Sequence, residues 1–287
     1  MARMMTRSPV FRRRETVFYN PRMRRLALLT LLVPVLLPLL APTGAVAFSL
    51  PADSSARVVA VIDGDTVKLE TGREVRLVGI QAPKLPLGRR GFSEWPLANE
   101  AKARLEALTN GKTVALHYGG AREDRHGRLL AHLTAADNPS AETWAQGEML
   151  KAGLARVYSF PDNRALVVEM LALEREARAA RRGIWREPYY RIRKPEETVR
   201  DIETFQLVEG RVLQAAALKD RVYLNFGPDY HSDFTIAIAR RDLKLFGRAF
   251  DVKALEGKSI RVRGWLKPVN GPMIEATHPE QIEVLSP

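Results

Sequence analysis

Residues 60–83 read AVIDGDTVKLETGREVRLVGIQAP, and this stretch decides the fold. Two β-branched runs, Arg57–Ile62 and Thr66–Glu70, flank the dipeptide Asp63-Gly64. Asp-Gly tolerates the positive φ angles of a tight turn, so the two runs are expected to pair as a hairpin. Thr71-Gly72 turns the chain again into a third strand expected over Glu74–Ile80. Pro83, Pro86 and Pro96 punctuate the next passage, and a helix is expected over Ala98–Thr109, closed by Asn110-Gly111.

Further strands are expected at Thr113–Tyr118 and Arg128–Leu133, joined by the polar loop GGAREDRHG at 119–127. Helices are expected at Thr143–Lys151 and Arg164–Arg182, the second capped by Gly183. Leu166, Met170, Leu173 and Ala177 recur there at helical spacing, the pattern of a stripe facing a core. Five strands with helices between and after them fit a Greek-key barrel of the OB type, so the expected class is α+β, mainly β.

Residues 187–204 are polar, contain Pro188 and Pro195, and read as a linker between a domain at 56–186 and a second at 205–287. The latter predicts strands at Leu207–Ala215, Arg221–Phe226, Phe234–Ala239, Ser259–Leu266 and Met273–Glu275, with a last segment Gln281–Leu285. A helical stretch is expected over Arg241–Leu255. In outline this is a second, smaller OB-like β domain. Tyr223, Phe226, Arg261, Arg263 and Trp265 are its candidate exposed groups; alternatively the aromatics are core and the arginines a solvated face.

The formal charge is +12, which by itself points to an anionic partner. Residues 1–47, however, hold eight arginines against the single acid Glu15, so most of that charge lies in this segment. There an arginine-rich stretch precedes the apolar run Leu26–Ala41, and Ala45-Val46-Ala47 precedes Phe48. That succession is the pattern of a cleaved export signal over 1–47, and the mature protein is expected outside the cytoplasm, in a compartment such as a bacterial periplasm. The alternative is a retained membrane anchor, although Pro34 and Pro38 interrupt a run shorter than the roughly 20 residues that span a bilayer. No cysteine is present, which excludes disulfide, thiol and lipoprotein chemistry.

Four blocks carry a resemblance across about 57–186: AVIDGDTVKLETGREVRLVGIQAP, DRHGRLLAHL (124–133), MLKAGLARVY (149–158) and RRGIW (181–185). In this order they resemble the thermonuclease (staphylococcal nuclease) family. The resemblance implies phosphodiester hydrolysis with a calcium ion, a carboxylate base that activates water, and two arginines that stabilise charge on the phosphorane. The arginines fall on Arg76 and Arg128, whose guanidinium groups are planar and bidentate toward phosphate. Asp65 matches one metal-ligand position. Gln81 stands where the second ligand aspartate is expected, Ala82 where threonine is usual, and Lys84 where the general-base glutamate is expected.

Calcium takes six to eight oxygen ligands, and its affinity follows the number of carboxylates. A positioned general base contributes about 10²–10⁴-fold, and an ammonium cannot serve as one. No cofactor is therefore expected, with Ca²⁺ required only if the family chemistry survives through a substitute such as Glu94 or Glu100. Lys84 is expected to pair with Asp65 and take over the electrostatic role of the ion, leaving a net-positive pocket. The resemblance further places Arg125, His126 and Tyr158 at nucleotide-contacting positions, and arginines beside an aromatic ring suit single-stranded DNA or RNA or another polyanion. The leading expectation is a binding module on a degenerate nuclease site. The rivals are a phosphodiesterase with an altered metal requirement and an envelope scaffold that binds protein partners.

Overall fold

In the segment 66–69 the side chains of Thr66, Val67 and Leu69 are buried while Lys68 is exposed, and the neighbouring segment 74–77 buries Val75 and Leu77. This alternation wraps the strands around one core. The computed structural model describes residues 48–285; the expected export signal over 1–47 lies outside the described residues. The strands are β1 (Ser54–Asp63), β2 (Thr66–Leu69), β3 (Glu74–Leu77), β4 (Gly79–Gln81), β5 (Thr113–His117), β6 (Leu129–Ala135) and β7 (Arg156–Tyr158). The helices of this half are α1 (Ala98–Thr109), α2 (Ala145–Lys151) and α3 (Val167–Ala179).

Strands in the order β1-β2-β3-β6-β5 close into a barrel. Its core holds Val67, Val75, Leu77, Leu116 and Leu133, against which α3 lays Met170 and Leu173. The β1–β2 turn is seated tightly. A Cβ on Gly64 would lie 2.6 Å from Cβ of Ala82 and 2.7 Å from Cβ of Ala101, so only glycine lets the turn nest against α1.

The strand expected over Glu74–Ile80 is broken. Gly79 adopts φ +85°, the chain leaves the barrel, and β4 pairs antiparallel with β7, which the sequence did not reveal as a strand. That small two-stranded sheet sets Gln81 opposite Arg156 and Gly79 opposite Tyr158.

The second half contains β8 (Phe205–Arg211), β9 (Gln214–Ala217), β10 (Arg221–Asn225), β11 (Thr235–Ala239), β12 (Ser259–Pro268), β13 (Pro272–Glu275) and β14 (Ile282–Val284). The order is β14-β12-β13-β11-β10-β9, with β8 along β12, and the sheet curls into a half-barrel. The expected strand Leu207–Ala215 is divided at Val212-Leu213 into β8 and β9. The helix expected over Arg241–Leu255 shrinks to one turn, α4 (Leu243–Phe246), because Gly247 at φ +83° ends it.

Residues 187–204 hold two 3₁₀ turns, Pro188–Tyr190 and Pro195–Asp201. Tyr190 is buried and its hydroxyl donates to the carbonyl of Pro96 at 2.8 Å. Arg193 exchanges backbone hydrogen bonds with Leu207 and Glu209 and pairs with Asp201 at 2.8 Å. This stretch therefore touches both halves.

The two halves also meet directly. Glu174 of α3 and Arg263 of β12 are almost wholly buried, 0% and 1% exposed, and pair at 2.9 Å. Arg263 also meets Glu283 at 2.6 Å, while Glu174 accepts the backbone N–H of Val157. The expectation of Arg263 as an exposed group is thus overturned: a guanidinium between two carboxylates is charge-compensated well enough to be buried. Arg261 is likewise paired, with Glu209 and Glu283. Arg164–Glu280 and Ser159–His278 complete the seam.

Candidate nucleic-acid interface

The β1–β2 turn and the start of the 82–97 passage bring four charged groups together. Lys84 Nζ lies 2.6 Å from Asp65 Oδ1 and 2.7 Å from Oδ2. It also lies 3.1 Å from Asp63 Oδ2, so one ammonium bridges both aspartates of the turn. The other oxygen of the Asp65 carboxylate, Oδ2, accepts the Ala82 backbone N–H at 2.8 Å, and Arg76 NH1 stands 3.3 Å from Oδ1. Asp65 is fully buried; burial would raise its pKa, yet Arg76 and Lys84 hold it well below the usual carboxylate range. Asp63 goes the other way: burial first, and then the Asp65 charge, raise its pKa, against the pull of Lys84 and Arg76.

Asp63 was legible only as a turn former. Counting it changes the expected charge of the inner cluster, because Arg76 and Lys84 now face two carboxylates and the four charges cancel. Arg128, counted with them in the expected pocket, stands apart from this cluster and pairs with Asp124. Gln81, next to this cluster in sequence, turns its side chain elsewhere: its Oε1 accepts from Nε and NH2 of Arg156 at 3.0 and 2.7 Å. Arg156 is buried, stacks over the Phe205 ring at 4.7 Å, and has its pKa lowered to about 10 by burial. Only the β4–β7 pairing reveals that partnership.

Arg76 sits on β3 opposite Thr66, and β3 runs parallel to β6, which begins one residue after Arg128. Arg76 donates to the carbonyls of Leu77 (2.8 Å) and Ile80 (2.6 Å), which fixes the guanidinium at the barrel edge. Arg128 donates from Nε to Asp124 at 2.8 Å and keeps about a third of its side chain exposed. Asp124 organises the loop by accepting the backbone N–H groups of His126 and Arg128. Arg125 and His126 are exposed, and Arg125 Nε donates to His126 Nε2 at 3.2 Å.

These side chains line one cleft of about 590 Å³. Arg76, Arg125, His126 and Arg128 form one part of its wall; Tyr158, Phe160 and Trp265 form another. Lys84, Asp65 and Gln81 are not among the lining residues, so the cleft and the Lys84 cluster adjoin through Arg76 rather than coincide. Glu94 hydrogen-bonds Asn99, and Glu100 is exposed in the first turn of α1. Among the described residues no group of three or more His, Asp or Glu side chains is arranged as a metal site.

A five-stranded closed barrel carrying arginines from β3 and the loop before β6 defines a class, and comparison with known proteins identifies it. The family described as Staphylococcal nuclease homologue matches residues 74–187. An uncharacterized endonuclease from Escherichia coli O157:H7 is 33% identical over 138 residues, covering 47% of this chain and 78% of that protein. Protein ParB of Escherichia coli is 32% identical over 145 residues, covering 48% and 76%. Endonuclease YncB of Bacillus subtilis is 31% identical over 134 residues, covering 45% and 60%. The chain belongs to the staphylococcal nuclease family and is related to endonucleases. The family match ends at residue 187, so the second β-sheet lies beyond it.

Proposed function

We propose that this protein binds single-stranded nucleic acid, or another polyanion, in the cleft without a divalent cation and without hydrolysing it. One observation carries the reading: the Lys84 ammonium is 2.6 Å from Asp65 and 3.1 Å from Asp63. The family implies a calcium ion, which needs six to eight oxygen donors. Of the candidate donors, both Asp65 oxygens already accept hydrogen bonds, Asp63 is engaged by the same ammonium, and the Gln81 oxygen is turned to Arg156. A cation entering there would have to displace Lys84 against charge repulsion. The residues present do not fit the ion.

What these side chains do is hold and orient. Arg76 and Lys84 neutralise the turn aspartates, so the buried carboxylates do not repel a phosphate at the cleft. Arg125, exposed, and Arg128, part-exposed and paired with Asp124, supply the guanidinium groups that meet phosphate oxygens, in the bidentate manner that group favours. In the Lys84 cluster both carboxylates are held by the ammonium, so neither is free to take a proton from water, a role that contributes about 10²–10⁴-fold.

Fluorescence anisotropy of a labelled oligonucleotide tests the reading. Affinity is expected to be the same in chelator and in Ca²⁺ and to fall steeply with salt; Arg125→Ala and Arg128→Ala should each lower the salt slope by about one. Binding that requires Ca²⁺ would support an active phosphodiesterase instead, and no binding at all would support the scaffold reading.

The amino-terminal succession supports a further part of the proposal, that the protein is exported with Phe48 as its first mature residue. Phe48 packs edge-on against His117 at 4.7 Å and tilts against Trp144 at 5.6 Å, so the fold already uses that residue. Among the described residues no helix is long and apolar enough to cross a membrane.

A further inference from the structure

We propose that Trp265, carried by β12 and outside the family domain, is a base-stacking residue of the cleft, so that the binding site is a composite of both halves of the chain. This rests on the binding function proposed above and adds to it a residue and a contact.

Trp265 is a large apolar ring left 45% exposed, and it faces the same cleft as Arg76, Arg125, His126 and Arg128. Its indole is not free to swing. Nε1 donates to the hydroxyl of Tyr158 at 2.8 Å, and its backbone pairs with Phe205. Tyr158 in turn stands edge-on to Phe160 and to Phe205, each at 4.8 Å between ring centroids. The result is an aromatic wall whose polar atoms are satisfied by one another while ring surface stays open to solvent.

Behind that wall the strand is anchored, because Arg263, two residues before Trp265, is the buried partner of Glu174. A rigid indole is what stacking needs, since no rotamer freedom is lost when a base arrives. Guanidinium groups that track a backbone, facing aromatic rings that take bases, form the general plan for holding an unpaired strand. If Trp265 were only a spacer between the halves, it would be covered by them; the residue is instead left 45% exposed.

The test uses the full-length protein in chelator with labelled oligothymidylate and a fully abasic strand of equal length, which has the phosphates but no bases. Trp265→Ala is expected to weaken oligothymidylate binding about tenfold or more and to leave the abasic strand unchanged; Trp265→Phe should lose less. Tryptophan fluorescence should be quenched by oligothymidylate in the wild type and much less in Trp265→Phe, a readout that holds even if the alanine variant folds poorly. Oligouridylate in parallel tells RNA from DNA, and selective loss with either strand supports the proposal. Equal loss on both strands, or loss on neither, overturns it. If the wild type binds the two strands equally and Arg128→Ala weakens both, the proposed polyanion binding stands and the stacking role falls. If the wild type binds neither, both fall.

Discussion

Lys84 joins the two aspartates of the β1–β2 turn, Asp63 at 3.1 Å and Asp65 at 2.6 Å. An ammonium held within hydrogen-bond distance of two aspartates satisfies them internally, so replacing it should reveal what they can do. Lys84→Glu would place a third carboxylate beside Asp63 and Asp65. In chelator the variant is expected to lose about 1–3 kcal/mol, the cost of leaving buried polar groups unmatched. That corresponds to a Tm lower by several degrees at about 2–4 °C per kcal/mol. Millimolar Ca²⁺ should restore much of the loss by binding the folded state, while the Tm of the wild type should not respond. A Ca²⁺-dependent Tm in the wild type would contradict this. Part of this arrangement was legible in the sequence: motif positions singled out Asp65, Arg76, Lys84 and Arg128, and the first three meet in the structure. Asp63 hid behind its role as a turn former, and Arg156 could not be found, because its link to Gln81 exists only through a strand pairing across 75 residues.

At the scale of elements, the reading of turn and breaker residues bounded α1 to the residue, and Ala98, Ala101, Leu105 and Thr109 are its buried side chains. It failed where a backbone angle decides. Gly79 divides one expected strand into two, and Gly247 cuts an expected helix to a single turn. The seam between the halves was also illegible, because a buried arginine and a solvated one look alike in sequence. Glu174→Ala would leave Arg263 with Glu283 alone in a buried setting and strip Val157 N–H of its acceptor. A loss of about 3–5 kcal/mol is expected from chemical denaturation, as for breaking a buried pair. A change under about 1 kcal/mol would mean that the pair is not desolvated as described. Aromatic Tyr158 illustrates the same limit: its motif position singled out the ring, while the tryptophan from the other half of the chain that engages its hydroxyl was not legible.

For the whole molecule, acid should loosen the same seam. His278 is fully buried against Ser159, and burial, aided by Arg164 and Arg263 against Glu280 and Asp162, lowers its pKa to about 4 from an ordinary 6.5. A histidine whose folded pKa is depressed favours the folded state in full above its unfolded pKa. That contribution is lost as pH falls from about 6.5 toward 4, amounting to a few kcal/mol at roughly 1.4 kcal/mol per unit. Buried His132, lowered to about 3, adds in the same direction. Denaturation midpoints across this range should fall, and fall less in His278→Asn; an unchanged slope in that variant would remove His278 from the account. Fold, seam and cleft together describe a nuclease-family barrel whose turn aspartates are paired with its own lysine and whose cleft is lined by residues of both halves. The most direct test is to incubate the purified protein with labelled single-stranded DNA and RNA, in Ca²⁺ and in chelator, and follow strand length over time. Strands that stay intact in both conditions while remaining bound are the predicted result. Cleavage in Ca²⁺ that disappears on chelation would show a working metal site and contradict it.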